Sequence, residues 1–357
     1  MIYKNTFKNK KVIITGHTGF KGSWLTLWLL KLGARIVGIS INNHKNQEIF
    51  KNYVNEKLKH LKIDITKKKN LFKTIIKEKP DFIFHFAAQA LVKISYRDPA
   101  NTFLTNSIGT MHILDSVRKL TKPCKLILIT SDKVYQNLEI SRGYKEDDIL
   151  GGEDPYSSSK ACAELIIKSY IKSFFTSGNK KIAVGRAGNV IGGGDWSKYR
   201  LVPDCIKAWK KNKTIIIRNP NSTRPWQHVL DALHGYLTLA YHLDKKKIHG
   251  QQFNFGPNNK TSNKTVIQLV EEIKKNWKEV KWKINSKKQN EKESNLLQLN
   301  SNKAKKILNW KPNLNFSQSI KMVVDWYKQN NLKNNKTFQI SLTQISKYEK
   351  LIKKNKY

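Results

Sequence analysis

The fold is decided near the start of the chain, by the stretch Lys10-Lys11-Val12-Ile13-Ile14-Thr15-Gly16-His17-Thr18-Gly19-Phe20-Lys21-Gly22. A basic start, an apolar run and three glycines spaced three residues apart predict a strand, a tight turn and the entry to a helix. The apolar residues that follow recur at helical spacing, namely Trp24, Leu25, Trp28, Leu29 and Leu32. Glycines let the backbone approach a bound group closely, and the N–H groups at a helix start attract an anion. The stretch therefore predicts a pyrophosphate site, although a glycine-rich turn without a ligand has the same spacing.

The composition indicates a soluble globular protein with one large or two modest domains. The 357 residues are 39% hydrophobic and 10% aromatic, which is enough for a sizeable core. No apolar run approaches the roughly 18 residues of a membrane-spanning helix, and no small-residue cleavage site follows the basic N-terminus, so we expect no signal peptide. Cys124, Cys162 and Cys205 are dispersed and odd in number, which argues against a disulfide framework or a zinc site. We therefore expect a cytoplasmic protein.

The net charge of +41 raises the question of a nucleic-acid partner. The lysines are spread along the whole chain, among many asparagines, and no motif gathers them. This pattern predicts at most non-specific affinity for polyanions and no dedicated nucleic-acid function. The same positive field favours anionic small-molecule substrates.

A series of apolar runs separated by helical patterns follows the glycine stretch. These runs lie at 35–40, 61–65, 81–88, 125–130, 181–187 and 251–255. Near-continuous apolar strands that alternate with helices predict a parallel sheet covered on both faces. The expected fold is therefore α/β, a Rossmann-type doubly wound sheet of about seven strands, with ligands at the carboxyl ends of the strands.

The chain is expected to divide into two interleaved domains and a tail. Residues 1–188 form the dinucleotide-binding domain, and a late strand near 251–256 returns to it. Residues 189–330, which begin with a glycine-rich loop, form a smaller α+β substrate-binding domain. The polar, lysine-rich residues 331–357 are expected to be a peripheral tail.

Tyr156 and Lys160 are four residues apart, at the start of a helix predicted to end near Phe175. Four residues make one helical turn, so both side chains emerge from one face. An ammonium nearby favours the phenolate and lowers the tyrosine pKa, so that the phenolate can take a hydroxyl proton near neutrality. Alone, this spacing would also fit an ordinary surface pair. Together with a dinucleotide site, it predicts hydride transfer at a carbinol carbon.

Over nearly its whole length the chain resembles the extended short-chain dehydrogenase/reductase family. The resemblance rests on Thr15–Gly22, Asp64-Ile65, His85–Gln89, Asn106, Tyr156 with Lys160, and Arg224–Asp231. Within that family the chain is most similar to the nucleotide-sugar 4,6-dehydratases, and through His17–Leu25 and Thr223–Val229 to those that act on CDP-glucose. The resemblance implies NAD as cofactor, a nucleotide sugar as substrate, and a role in deoxysugar and O-antigen-type polysaccharide biosynthesis.

The residues after the fifth predicted strand distinguish dehydratases from their relatives. Reductases and epimerases of the family need a hydroxyl there, which Ser131 supplies. A dehydratase needs an acid and a base as well, and Asp132-Lys133 matches the position of that pair. The resemblance implies that Tyr156, with Lys160 and Ser131, deprotonates the sugar 4-hydroxyl. Lys133 then removes the C5 proton while Asp132 protonates the departing 6-hydroxyl.

The resemblance also implies which residues bind the cofactor and the substrate. Cofactor contacts are implied for Gly16, His17, Thr18, Gly19, Phe20, Lys21, Gly22, Ser40, Asp64, Ile65, Ala87, Ala88, Gln89 and Asn106, besides Tyr156 and Lys160. Substrate contacts are implied for Gln89, Asn189, Arg218, Arg224 and His228. The arginines suit a diphosphate because their donors form a fork. His85 and His228 have apolar neighbours and are expected to be packed or hydrogen-bonded, and we expect no metal site.

The choice between NAD and NADP stays open at the adenosine ribose. An acid is expected about 20 residues beyond the last glycine, but Ser40-Ile41-Asn42-Asn43 stands there. NAD is favoured, because a cofactor that is reduced and reoxidised within one turnover needs no link to the NADPH pool.

The resemblance also bears on the assembly of the protein, and two other functions stay open. The helices that hold Asn106 and Tyr156 commonly pair in this family, so we expect a homodimer. The apolar positions 110, 113, 114 and 117 could serve that contact or cover the sheet. Another nucleotide-sugar dehydratase, epimerase or reductase is the first alternative function, and a non-catalytic NAD- or polyanion-binding protein is the second.

Overall fold

A central parallel sheet organises the structure, a computed structural model. It describes residues 3–41, 45–53, 56–176, 178–217, 219–258, 263–284, 297–329 and 336–355. The strands in chain order are β1 (Lys11–Thr15), β2 (Arg35–Ser40), β3 (Leu58–Lys62), β4 (Phe82–His85), β5 (Cys124–Ile129), β6 (Lys180–Ala187), β7 (Val190–Ile191), β8 (Ile215–Ile217), β9 (Thr223–Pro225), β10 (Gln227–His228), β11 (Gln252–Phe255), β12 (Asn263–Thr265) and β13 (Trp282–Ile284).

Helices cover both faces of this sheet. They are α1 (Lys4–Phe7), α2 (Phe20–Lys31), α3 (Lys68–Glu78), α4 (Val92–Arg97), α5 (Pro99–Phe103), α6 (Gly109–Arg118), α7 (Pro155–Phe174), α8 (Leu201–Trp209), α9 (Val229–His242), α10 (Val266–Asn276), α11 (Asn302–Leu308), α12 (Phe316–Gln329) and α13 (Thr337–Lys354). In the part of the chain that the structure covers, none of them is both long and apolar enough to cross a membrane.

The main sheet has the strand order β11-β6-β5-β4-β1-β2-β3, and all its neighbouring pairs are parallel. This confirms the prediction of a doubly wound, seven-stranded Rossmann-type sheet. Strand order reverses between β1 and β4, and a ligand crevice opens at such a switch point. The late strand β11 joins the edge beside β6, whereas the division of the chain into domains at residue 188 stays a prediction.

Two boundaries differ from the sequence prediction, and both affect the site. The third strand ends at Lys62, three residues before the predicted end, so Asp64 lies in a turn where its carboxylate accepts the Thr66 N–H at 2.8 Å. The helix expected to hold Asn106 is interrupted by a π-helical turn at Leu104–Ile108, between α5 and α6. Asn106 lies in that turn and is 1% exposed.

The prediction of a peripheral tail is wrong for residues 337–354, which form the helix α13. One face of this helix is buried, and Tyr348 packs edge-on against Trp28 of α2 at 5.7 Å between ring centroids. The Tyr348 hydroxyl donates to buried Asp231 of α9 at 2.5 Å, and Lys31 forms an ion pair with Glu349. The polar lysine-rich composition conceals an amphipathic pattern whose apolar stripe covers α2.

The glycine-rich loop after β7 lies directly on the start of α2. Trp24 of α2 donates its indole N–H to the carbonyl of Gly193 at 2.8 Å, and a Cβ on Gly192 would lie 3.0 Å from the Phe20 ring. Tyr327 of α12 holds the same loop through the carbonyl of Asp195 at 2.7 Å. The segment after residue 188 is thereby fixed against the glycine stretch.

Candidate active site

The glycine loop forms a cradle that side chains would fill. Gly16 has φ +72°, and a Cβ there would lie 2.8 Å from the Ala87 nitrogen at the end of β4. A Cβ on Gly22 would lie 2.1 Å from the Gly16 carbonyl oxygen. Gly19, the N-cap of α2, provides no side-chain cap, so the N–H groups of the first turn can bind an anion. The loop therefore fits the pyrophosphate of a dinucleotide.

A chain of side-chain hydrogen bonds that the sequence did not predict lies beside the loop. His17 bonds through Nδ1 to Ser40 Oγ and through Nε2 to His60 Nδ1, both at 2.9 Å. Burial, with the nearby His60, lowers the pKa of His17 to about 4, so this imidazole is neutral near pH 7. Ser40 therefore ends β2 with neutral partners, where a dinucleotide-binding fold usually has an acid for the ribose.

Two residues assigned to ligand contacts hold the loop after β4. The Asn106 amide donates to the Gln89 carbonyl at 3.0 Å and to Ser159 Oγ at 2.9 Å, and it accepts the Gln89 N–H at 2.9 Å. The Gln89 side chain in turn bonds to Leu91 and Thr102. Since both polar atoms of Asn106 are used inside the protein, it acts on the site by positioning residues 87–89 and α7.

Tyr156 and Lys160 emerge from the first turns of α7 and face the end of β5. The helix begins under the Asp154 carboxylate, which accepts the Ser157 N–H at 3.0 Å. The Ser131 hydroxyl is close enough to the Tyr156 phenol to lower its pKa. Burial lowers the pKa of Lys160 to about 8; the Lys21 charge adds to that shift and Glu164 opposes it. The fold thus brings Ser131 and Tyr156 close to each other at the strand end where the sequence predicted them, and buried Lys160 lies one helical turn further along α7.

The pKa of Tyr156 is raised, whereas the sequence predicted that it would be lowered. Burial raises it, and the Asp132 charge raises it further, while the Ser131 hydroxyl lowers it. A lysine at one helical turn was expected to lower this pKa, but the prediction omitted the desolvation of a phenol inside the protein. Ionisation of the phenol in this site therefore depends on neighbouring groups that stabilise the phenolate, such as Ser131 and Arg200.

Asp132 is buried between the β5 turn and the segment after β6. Ser131 Oγ donates to its Oδ1 at 2.9 Å, and its Oδ2 lies 2.8 Å from the position a Cβ on Gly188 would take. Burial raises the pKa of Asp132, and the charges of Lys133 and Lys21 oppose that shift. A carboxyl group that keeps its proton more readily suits a general acid. Lys133, half-buried, follows directly in the chain.

A second cationic group, Lys21, acts on Asp132, and the sequence predicted a different role for it. Lys21, predicted only as a cofactor contact, has its pKa lowered to about 8 by burial and by Arg200, while Asp132 and Asp195 oppose the shift. Arg200 donates to Asp195 at 3.0 Å, and its charge also acts on Tyr156. The one sequence signal for Asp195 and Arg200 was the glycine run just before them.

The predicted substrate-binding residues differ in their position and exposure. Asn189 follows Gly188 directly, and its carbonyl accepts the Gln227 N–H at 3.1 Å. Arg224 of β9 is half-buried, and its guanidinium donates to the Thr223 carbonyl at 2.7 Å. Arg218 lies outside the described residues. A substrate contact through the His228 side chain is wrong, because this side chain is 0% exposed and caps α9 by accepting the Leu230 N–H.

The other histidine singled out is structural. His85 of β4 bonds to the hydroxyl groups of Thr15 at 2.7 Å and Thr110 at 3.1 Å. This confirms the prediction of a hydrogen-bonded residue, and burial lowers its pKa to about 3. No group of three or more His, Cys, Asp or Glu side chains suited to a metal ion occurs in the ranges that the structure covers.

A sequence profile of the family described as GDP-mannose 4,6 dehydratase matches residues 13–323. The chain belongs to this family. CDP-glucose 4,6-dehydratase of Salmonella typhimurium is 40% identical over 92% of this chain and 93% of its own length. These two findings confirm the resemblance to nucleotide-sugar dehydratases.

Solved structures of the same fold support the architecture. An epimerase from Methanothermobacter thermautotrophicus superposes with a TM-score of 0.81 at 22% identity, over 92% of this chain and 95% of that one. The dTDP-glucose 4,6-dehydratase of Bacillus anthracis, solved in complex with NAD, has a TM-score of 0.74 at 24% identity, over 90% and 98%. At 22% and 24% identity, the likeness to these two structures establishes the fold of this member of the GDP-mannose 4,6-dehydratase family.

Proposed function

We propose that this chain is a CDP-glucose 4,6-dehydratase, which converts CDP-glucose to CDP-4-keto-6-deoxyglucose and water. One observation carries the proposal: Asp132 and Lys133 follow Ser131 at the end of β5, Ser131 Oγ donates to the Asp132 carboxylate at 2.9 Å, and the same hydroxyl acts on the Tyr156 phenol. A reductase or epimerase needs only the hydroxyl, the tyrosine and the lysine. A carboxyl group beside them supplies the acid that expels a hydroxide.

The cofactor in this proposal is NAD. The glycine cradle and the first turn of α2 fit the pyrophosphate, and Ser40 would meet the adenosine ribose. When bound, NAD would accept a hydride from sugar carbon C4 and return it to C6, so that the reaction has no net oxidation. Lys160, one helical turn after Tyr156, would hold the nicotinamide ribose as well as favour the phenolate.

The protein side chains would move three protons. Tyr156 takes the proton of the sugar 4-hydroxyl while Ser131 holds the same oxygen. The C4 carbonyl acidifies the C5 proton, which Lys133 removes and later gives back. Asp132 protonates the 6-hydroxyl, which leaves as water. Each of these transfers needs a positioned acid or base, an effect worth about 10²–10⁴-fold in rate.

The choice of CDP-glucose rests on the Salmonella relative, at 40% identity over nearly the full length. Arg224 would bind the diphosphate. Another nucleotide-sugar dehydratase is the nearest alternative, and a non-catalytic NAD- or polyanion-binding protein is the alternative of another class. The complete set of Ser131, Tyr156 and Lys160 argues against a binding protein, since binding alone does not need it.

Incubation of the purified protein with CDP-, dTDP-, UDP- and GDP-sugars tests this proposal. We expect CDP-glucose to give the alkali-induced absorbance of a 4-ketohexose, without net accumulation of reduced nicotinamide. Lys133→Ala should lower the dehydration rate at least about 100-fold, whereas Lys69→Ala, at an exposed position of α3, should not. Turnover of a different nucleotide sugar would contradict the substrate, and no turnover with any sugar would favour a binding protein.

The proposed setting is a homodimer in the cytoplasm. The apolar stripe at 110, 113, 114 and 117 is buried on the sheet, which leaves other positions on the same helices for pairing. The outward faces of α4 to α7 carry exposed Tyr96, Phe103, Leu104, Leu165 and Phe174, and a second copy would cover them. All three cysteines are free thiols, which supports a reducing compartment.

A further inference from the structure

A buried ion pair joins the elements that carry the proposed catalytic residues. Arg186 of β6 and Glu164 of α7 are each 2% exposed. The guanidinium donates to both carboxylate oxygens of Glu164, through Nε at 2.8 Å and Nη2 at 2.7 Å. The same carboxylate accepts the hydroxyl of Thr130, the residue after β5, at 2.6 Å. It therefore binds the ends of β5 and β6 to one side of α7.

Two of these residues adjoin the site along the chain. Thr130 directly precedes Ser131, so its bond to Glu164 fixes where the turn after β5 (residues 131–133) begins. Glu164 lies four residues after Lys160 on α7, and side chains at that spacing lie on one face of a helix. The carboxylate is therefore both a fixed point for the turn and the acidic neighbour of Lys160 on that face.

The guanidinium also reaches the far end of the same turn. Arg186 Nη1 donates to the Tyr135 hydroxyl at 2.7 Å, and this hydroxyl donates to Asn254 Oδ1 of β11 at 2.8 Å. Tyr135 is two residues after Lys133. The segment that carries the proposed acid and base is thus held on both sides, by Thr130 before it and by Tyr135 after it.

We propose that Glu164 and Arg186 are positioning residues: their ion pair holds the turn after β5 against α7, and the Glu164 carboxylate is the counter-charge of Lys160. Because both side chains are buried, they act on the reaction through the residues that they hold. This inference rests on the proposed function, which assigns the turn and Lys160 their chemistry.

The charges around Lys160 connect this pair with the pH dependence of the reaction. Burial and Lys21 of α2 lower the pKa of Lys160 to about 8, and Glu164 opposes that shift. His85 of β4, which the Lys160 charge also reaches, is neutral because burial lowers its pKa to about 3. Loss of the Glu164 charge should therefore make Lys160 release its proton at lower pH. The guanidinium of the pair has two further charged neighbours, Glu146 and Lys303.

The rate of CDP-glucose dehydration against pH tests the charge. Glu164→Gln keeps an oxygen for the Thr130 hydroxyl but removes the negative charge, so we expect the alkaline limit of kcat to move to lower pH by about one unit. Should this variant fail to fold because the guanidinium loses its partner, Glu164→Gln combined with Arg186→Met removes both charges and should show the same shift. Asp115→Asn is the matched control, since it removes a carboxylate that contacts α7 through Tyr170 at 3.1 Å, and should leave the alkaline limit unchanged.

The hold on the turn is tested by a variant that keeps both charges. Thr130→Val removes only the hydroxyl, so kcat should fall by up to about 100-fold while KM and the alkaline limit stay as in the wild type. Thr130→Ser restores the hydroxyl and should restore kcat. Hydrogen exchange of the free protein measures the same hold without substrate, and residues 131–135 should exchange faster in Thr130→Val but not in Asp115→Asn.

The outcomes separate this inference from the proposed function. A wild-type alkaline limit in Glu164→Gln would overturn the counter-charge, and wild-type kcat and exchange in Thr130→Val would overturn the hold on the turn. Turnover of another nucleotide sugar by the wild type would contradict the proposed substrate alone, and the variants would be compared with that sugar. A wild type without turnover of any sugar would contradict the proposed function, whereas hydrogen exchange would still decide whether the pair holds the turn.

Discussion

Lys21 is the residue whose role changed most between sequence and structure. The sequence places it in the glycine stretch, where a lysine would be expected to face a cofactor phosphate. In the fold, its charge acts on Asp132, Arg200 and Lys160. The difference arises because α2 carries the side chain toward the segment after β6, and nothing in the local sequence indicates that packing.

Substitution of Lys21 should move the alkaline limit of activity. The Lys21 charge contributes to lowering the pKa of Lys160 to about 8, so Lys21→Met should raise that pKa. The loss of activity as Lys160 deprotonates would then occur at higher pH, by up to about one pH unit. The measurement is kcat/KM for CDP-glucose against pH. Lys69→Met is the control, and an unchanged alkaline limit in Lys21→Met would contradict this electrostatic role.

The sequence predicted the positions of the candidate catalytic side chains better than those of the candidate binding side chains. Ser131, Asp132, Tyr156 and Lys160 each follow a strand end or open a helix, and a strong hydrophobic pattern fixes those elements. His228 and Asn106 depend instead on which way a side chain turns in three dimensions. Both turn inward, where they hold the helix start and the β4 loop, and one-dimensional spacing does not distinguish this from a ligand contact.

At the scale of elements, the glycine loop and α2 form a rigid unit in which the three glycines are not equivalent. A Cβ on Gly22 would lie 2.1 Å from the Gly16 oxygen, whereas one on Gly19 would lie 3.2 Å from the same atom. The first distance requires the loop to move, and the second requires an adjustment of a few tenths of an ångström.

Gly22→Ala should therefore weaken NAD binding far more than Gly19→Ala. We expect the first to lose at least tenfold in affinity, about 1.4 kcal/mol, and to lower the free energy of unfolding by about 1–3 kcal/mol. Titration calorimetry with NAD and thermal unfolding measure the two effects. Equal losses in the two variants would show that the Gly16 oxygen is not the limiting contact.

The C-terminal helix α13 is joined to α9 through a buried carboxyl group. Asp231 accepts hydrogen bonds from the Tyr348 hydroxyl at 2.5 Å and the Asn313 N–H at 2.8 Å. Burial raises the pKa of Asp231 from 3.8 to about 7, although these bonds oppose the shift. The folded state therefore keeps a proton that the unfolded chain releases at lower pH.

This carboxyl group should make stability fall as pH rises. Between about pH 4 and 7 the folded chain binds more protons at Asp231 than the unfolded chain, so the stabilisation present at low pH is lost on passing pH 7. Asp231→Asn has no charge to bury and should lack this loss. Urea unfolding at pH 5 and pH 8 measures it, and we expect the variant to gain relative to the wild type at pH 8. Parallel changes in the two proteins would contradict the argument.

At the scale of the whole molecule, the net charge of +41 opposes self-association unless a specific apolar contact outweighs the repulsion. The sequence indicated which helices would pair but not which of their residues. The stripe at 113, 114 and 117 packs on the sheet, because an amphipathic helix beside a sheet buries its apolar face there first. The outward face of these helices is left for a second copy, and exposed apolar side chains interrupt its otherwise polar surface.

Leu165 on α7 is 56% exposed and Leu104 on the adjoining π-helical turn is 43% exposed. In the proposed homodimer each would be buried, which stabilises the contact by about 1.5–3 kcal/mol per side chain and counts twice in a symmetric interface.

Leu165→Glu should therefore produce monomers in analytical ultracentrifugation without lowering the unfolding temperature of the single chain. Ile216→Glu, at a position 68% exposed on β8, carries the same charge change on a different face and should remain dimeric. A dimer that survives Leu165→Glu but dissociates with Ile216→Glu would place the interface on the face that carries β8. Since α7 would carry both the proposed base Tyr156 and this interface, the monomeric variant should also lose part of its activity, through kcat more than KM.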